Sequence, residues 1–146
     1  FGYAFVNTEP GEHYLFGDIQ LCIANAYQAV VTDVAVTDAT GGLRVTGFAT
    51  RLSTPGQIGV GNEEGPIGQS GFADSASPHV TGTCVDGQEP VGPTDLMVEF
   101  TKSEDSTAAG SSLLVFYVAD GLSNSLTLQM EVALCSPKGP VVEICE

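Results

Sequence analysis

Ser112-Leu113-Leu114-Val115-Phe116-Tyr117-Val118-Ala119-Asp120-Gly121-Leu122-Ser123-Asn124-Ser125-Leu126-Thr127-Leu128-Gln129-Met130-Glu131-Val132-Ala133-Leu134-Cys135 decides the fold class. Leu113 to Val118 is apolar on both faces, which predicts a central strand covered on both sides. Asp120-Gly121 supplies the positive-φ pair that closes a tight hairpin. The return strand, Ser125 to Cys135, alternates Leu126, Leu128, Met130, Val132 and Leu134 with Thr127, Gln129 and Glu131, so one face is apolar and the other polar.

Outward from this hairpin the same punctuation recurs. Helical periodicity is nearly absent, and short alternating runs stop at Gly, Pro, Asp or Ser. Phe1, Tyr3 and Phe5 alternate with Gly2 and Ala4 before Glu9-Pro10-Gly11, which predicts an edge strand. Ile19, Leu21 and Ile23 form one row between Gly17 and Ala24, with Asp18, Gln20 and Cys22 on the other face. Ala29 to Thr37, with Val30, Val34 and Val36 in register, and Leu43 to Thr50 read as a hairpin closed by Asp38-Ala39-Thr40-Gly41-Gly42. His79 to Val85 and Leu96 to Lys102 add strands, and Val141 to Ile144 a last short one. Ser53 to Pro78 is irregular, with only Gln57 to Val60 patterned as strand. A loop of roughly 25 residues is uncommon in a compact domain and carries function or hides a further element.

Residues 1–146 therefore form a single all-β domain of about seven to nine short strands, read as an antiparallel two-sheet β-sandwich of immunoglobulin-like or jelly-roll type. A small closed β-barrel is the alternative. Cys22, Cys84, Cys135 and Cys145 have no metal-type spacing and read as two disulfides, hence an oxidising compartment. Loop closure slightly favours Cys22 with Cys84 and Cys135 with Cys145, although a tight hairpin at Pro137 to Pro140 would argue against the second pair. By strand parity the bridges are expected near the surface rather than across the core.

Eighteen Asp and Glu against 4 Lys and Arg give a formal net charge of −14. Arg44, Arg51, Lys102 and Lys138 are too few and too scattered to neutralise a phosphate backbone, so no nucleic-acid partner is expected. The acidity is read as keeping the domain soluble and monomeric. No run approaches the roughly 18 apolar residues of a membrane helix, and no membrane insertion is expected.

Gly68-Gln69-Ser70-Gly71 resembles the glycine-flanked serine of chymotrypsin-like proteases, and His13, Asp33 or Asp38, and Ser70 follow that family's order. The resemblance stops there, because those enzymes need two barrels and His13 lies in Gly11-Glu12-His13-Tyr14 rather than Ala-Ala-His-Cys. A copper site of the cupredoxin kind would need a Cys, two His and a Met converging, and nothing of the sort follows Cys135. Calcium is the one cofactor left open. Hard oxygen ligands cluster at Asp33 with Asp38, at Asn62-Glu63-Glu64, at Glu104-Asp105 and at Asp120 with Asn124, of which Glu63 and Glu64 are preferred for their place in the long loop. Tyr14 and Tyr27 flank a strand where a shallow glycan surface would form.

The leading functional expectation is a secreted or cell-surface, non-enzymatic module. It binds a protein or cell-surface component, or fills a structural place in a surface assembly, through the long loop (Glu63, Glu64, Ser70) or a sheet edge. The competing expectations are a small secreted hydrolase using His13 or His79, and a calcium-stabilised adhesion module.

Overall fold

The structure is a computed structural model that describes residues 2–24, 28–53, 62–70, 77–139 and 142–146. It is all-β, with strands β1 (Gly2–Phe5), β2 (Tyr14–Leu21), β3 (Ala29–Thr37), β4 (Arg44–Leu52), β5 (Asn62–Glu64), β6 (His79–Val80), β7 (Thr94–Thr101), β8 (Ala108–Gly110), β9 (Ser112–Ala119), β10 (Leu122–Leu128) and β11 (Glu131–Leu134). Single 3₁₀ turns cover Ile67–Gln69 and Glu143–Cys145.

Three sheets result. Sheet I has the order β4-β7-β2-β5, sheet II the order β10-β9-β3-β6, and a small third sheet the order β1-β11-β8. Every pairing within sheets I and II is antiparallel, whereas β1 runs parallel to β11. Among the described residues each sheet is open at both ends and none closes into a barrel. One core collects side chains from all three sheets, including Phe16 and Ile19 of β2, Val31 and Val34 of β3, Leu96, Val98 and Phe100 of β7, Leu113 and Val115 of β9, and Val132 and Leu134 of β11. Tyr3 and Phe5 of the terminal strand close it, with the Tyr3 ring 4.8 Å from Phe16 and the Phe5 ring 5.5 Å from Tyr14.

Bulges explain where simple alternation misleads. The register shifts between Phe16 and Ile19 in β2, between Val31 and Asp33 in β3, and between Val45 and Gly47 in β4. Each extra residue reverses strand parity, so Tyr14 and Phe16 share an inward face with Ile19 and Leu21. On β3 it is Val31 rather than Val30 that joins Val34 inside.

Three further expectations change. β3 and β4 are not a hairpin, because β3 lies in sheet II and β4 in sheet I. Their connection arches between sheets, and Gly41 and Gly42 are required there. Both have positive φ, and a Cβ on Gly41 would meet Ala108 and one on Gly42 would meet Ser103. The return strand after Asp120-Gly121 breaks at Gln129–Met130, ending β10 in sheet II and starting β11 in the small sheet. Glu143–Cys145 is a 3₁₀ turn rather than a strand. Gln57–Val60 and Tyr27 lie outside the described residues.

The sequential disulfides are the ones formed, Cys22–Cys84 and Cys135–Cys145. Both point to an oxidising environment. The surface placement holds only in part, since Cys135 is buried among the core residues that end β11. Among the described residues no helix is long and apolar enough to cross a membrane.

Candidate functional site

The close of β2, the start of β3, β6 and the β9–β10 hairpin surround an open cleft of about 480 Å³. Its floor is continuous with the core through Leu21, Val31 and Val115. The Cys22–Cys84 bridge forms one wall, and the backbone around it is fixed by Ile23 N–H donating to the Gly82 carbonyl (2.7 Å) and Cys84 N–H donating to the Ile23 carbonyl (3.0 Å). Leu122 and Leu126 form the opposite wall, with Asp120 and Asn124 among the polar lining. Among the described residues the lining is mainly apolar, with the Tyr117 phenol, Asp120 and Asn124 as its polar groups, which suits the binding of apolar groups.

β10 is also the end strand of sheet II, so one row of its backbone N–H and C=O groups has no strand beside it among the described residues. The strand is exposed from Leu122 to Thr127, and Leu122 is 68% and Leu126 43% exposed despite facing the cleft. The turn that lifts it out is the expected one, with positive φ at Asp120 and Gly121 and Leu122 paired to Ala119.

The residues singled out from the sequence lie elsewhere. Glu63 and Glu64 stand exposed on β5, opposite Leu15 and Tyr14. Ser70 is buried, its hydroxyl donating to the Ile67 carbonyl at 2.7 Å, so it is a fastening of the 3₁₀ turn and offers no free nucleophile. Tyr14 is core, and burial raises its pKa while its hydroxyl accepts the Glu9 N–H at 2.8 Å. Asp33 lies within β3 and caps the Val34 N–H at 2.9 Å, whereas Asp38 follows the strand with positive φ and accepts the Ser111 hydroxyl at 2.6 Å. Asp105 pairs with Lys138 at 3.5 Å, and Asn124 donates to the Leu122 carbonyl at 3.1 Å. Among the described residues no group of three or more His, Cys, Asp or Glu is placed to hold a metal. His79 is exposed on β6.

His13 has a partner that sequence reading missed. Its Nδ1 lies 3.0 Å from Oε1 of Glu99, a residue of β7 that is buried on the outer face of sheet I. Glu99 also accepts from the Thr46 hydroxyl (2.5 Å) and from the Ile67 N–H (2.7 Å). Burial alone would raise the pKa of this carboxyl. The bonds from Thr46 and Ile67 and the nearby imidazole outweigh it and hold the group below the usual range. Among the described residues no hydroxyl bonds to His13. Glu99 seats the Ile67–Gln69 turn over Met97 and Leu15, a small second core on the outside of sheet I. No local sequence signal marks Glu99, because its partners come from three other segments of the chain.

Comparison with protein-family models, with curated proteins and with solved structures finds no match to this chain.

Proposed function

We propose that this chain is a non-enzymatic, secreted or cell-surface β-sandwich module of immunoglobulin-like or jelly-roll type. It binds another macromolecule by taking an extended, apolar-patterned segment along β10 and over the adjacent cleft. The observation that carries this reading is the continuity of an apolar cleft with an open strand edge whose leucines stand exposed. Backbone pairing along such an edge supplies affinity, and a pocket beneath alternate side chains supplies selectivity. The disulfide in the cleft wall keeps the site formed before binding, which lowers the ordering cost. Fixed acidic surface elsewhere disfavours nucleic acid and anionic lipid as partners.

The test is selection of random displayed peptides on the dilute wild-type protein and on a Leu122→Asp, Leu126→Asp variant. Peptides with apolar residues at alternate positions are expected to be enriched on the wild type and not on the variant. Equal enrichment on both, or none on either, overturns the reading.

A further inference from the structure

We infer that the segment taken up by β10 is β10 of a second copy of this chain, paired antiparallel about a two-fold axis at Ser125. The inference rests on the proposed binding edge and names its partner.

Charge is the first argument. The chain carries a formal net charge of −14, yet Thr107 to Met130 holds a single ionisable acid or base of the Asp, Glu, Lys or Arg type, Asp120. Two copies of a strongly acidic protein repel unless they meet where charge is absent, and β9–β10 is that place. Both edges of sheet I are guarded. β5 is short and carries Glu63 and Glu64, while β4 carries Arg44 and Arg51 and is kinked by a bulge. Proteins block edge pairing with just such charges, bulges and short strands. β10 has none of them: it is seven residues long, free of charge and proline, and paired to β9 without a register shift.

Self-complementarity is the second argument. A two-fold interface must match a strand to its own reverse. Leu122-Ser123-Asn124-Ser125-Leu126-Thr127-Leu128 does so at five of its seven positions when centred on Ser125. Leu122 then faces Leu128 of the second copy, Ser123 faces its Thr127, and Ser125 faces its Ser125, while Asn124 meets Leu126 across the axis. Leu122 and Leu126 fall on the cleft side, so the two clefts join beneath an extended sheet II.

Sedimentation equilibrium up to about 1 mM tests this on the full chain. The wild type should show a monomer–dimer equilibrium. Ser125→Glu and Ser125→Lys, each confirmed folded by circular dichroism, should each dimerise at least about tenfold more weakly, since like charges would then face each other at the axis. An equimolar mixture of the two should regain dimer. A wild type that stays monomeric, variants that dimerise as well as wild type, or a mixture no stronger than either variant overturns the inference. A monomeric wild type that still selects alternating apolar peptides defeats only the identity of the partner. Loss of peptide selection as well defeats the binding edge itself.

Discussion

The two four-stranded sheets carry equivalent central strands with opposite outer faces. β7 of sheet I is buried along its whole length, while β9 of sheet II leaves Leu114, Phe116 and Val118 partly open, with Phe116 36% exposed. Sheet I achieves its closure with polar side chains. Asp95 and Glu99 alternate with Met97 on its outer face, Ser53 donates to Asp95 at 2.5 Å, and Glu99 seats the Ile67 turn. Among the described residues sheet II shows no such fastening over Leu114, Phe116 and Val118. The difference places stability in sheet I and leaves an accessible apolar surface to sheet II, where the cleft and the open edge also lie.

The sharpest way to break this comparison is to place the same charged side chain on both outer faces. Met97→Lys entombs an ammonium among Leu15, Ala49 and Ile67 and should cost about 5 kcal/mol or more. Phe116→Lys leaves the ammonium in water with its stem along the sheet and should cost about 1–2 kcal/mol. Urea unfolding of both variants measures the gap, and equal losses would mean that sheet II is as sealed as sheet I.

Next in size is the staple between the sheets. Cys22 follows β2 of sheet I, and Cys84 follows β6 of sheet II, 62 residues on. Replacing both with Ala should cost about 4 kcal/mol by loop entropy, against about 3 kcal/mol for the Cys135–Cys145 pair with its separation of 10. Paired thermal melts of the two double variants check the order, and the reverse order would show that the cleft wall is not held by its disulfide.

What the sequence made legible follows the range of the interaction. The Asp120-Gly121 hairpin was readable because a two-residue turn is specified by its own residues. Chain separation slightly favoured the disulfide pairs that form, while the hairpin expected at Pro137 to Pro140 pointed the other way for Cys135–Cys145. The β3–β4 hairpin was misread because a glycine turn looks the same whether the next strand returns to its sheet or crosses to the facing one. The apolar run Leu113–Val118 was misread as doubly covered because hydropathy records what can be buried, not whether anything lies above it. Conversely, Asp95 and Glu99 on β7 are buried although the sequence analysis singled out neither. Their burial depends on Ser53, Thr46, His13 and Ile67, which no spacing rule brings together. Ser70 and the preferred acids drew attention through their loop, but part of that loop is the cover of sheet I and not a displayed surface.

Glu99→Gln sharpens the same point through pH. The variant keeps the shape but removes the charge that holds Ile67, Thr46 and His13, and should cost about 1–3 kcal/mol at pH 7. Because the folded pKa lies below the ordinary 4.5, the native state binds this proton less tightly than the unfolded chain does. The contribution is therefore fully present above the ordinary value and is lost as pH falls through the folded one. Unfolding free energies of wild type and Glu99→Gln measured from pH 7 down to pH 3 should converge toward the acid end. A gap independent of pH would remove the carboxylate from the role assigned to it.

The smallest stability effect carries the most information about function. Leu122 is 68% exposed at the tip of the β9–β10 hairpin, so Leu122→Ser removes little that is buried and should change stability by no more than about 0.5 kcal/mol. If that leucine stands out in order to be covered by a partner, the same substitution should weaken peptide capture at β10 by about tenfold, since a buried leucine contributes on the order of 1.5–3 kcal/mol of transfer free energy. Stability from urea unfolding and affinity from a titration with a selected peptide would then separate completely at this position, while at Met97 stability alone should move. A Leu122→Ser variant that loses stability in step with binding would show that the hairpin serves the core, and the contrast between the sheets would reduce to a difference in degree.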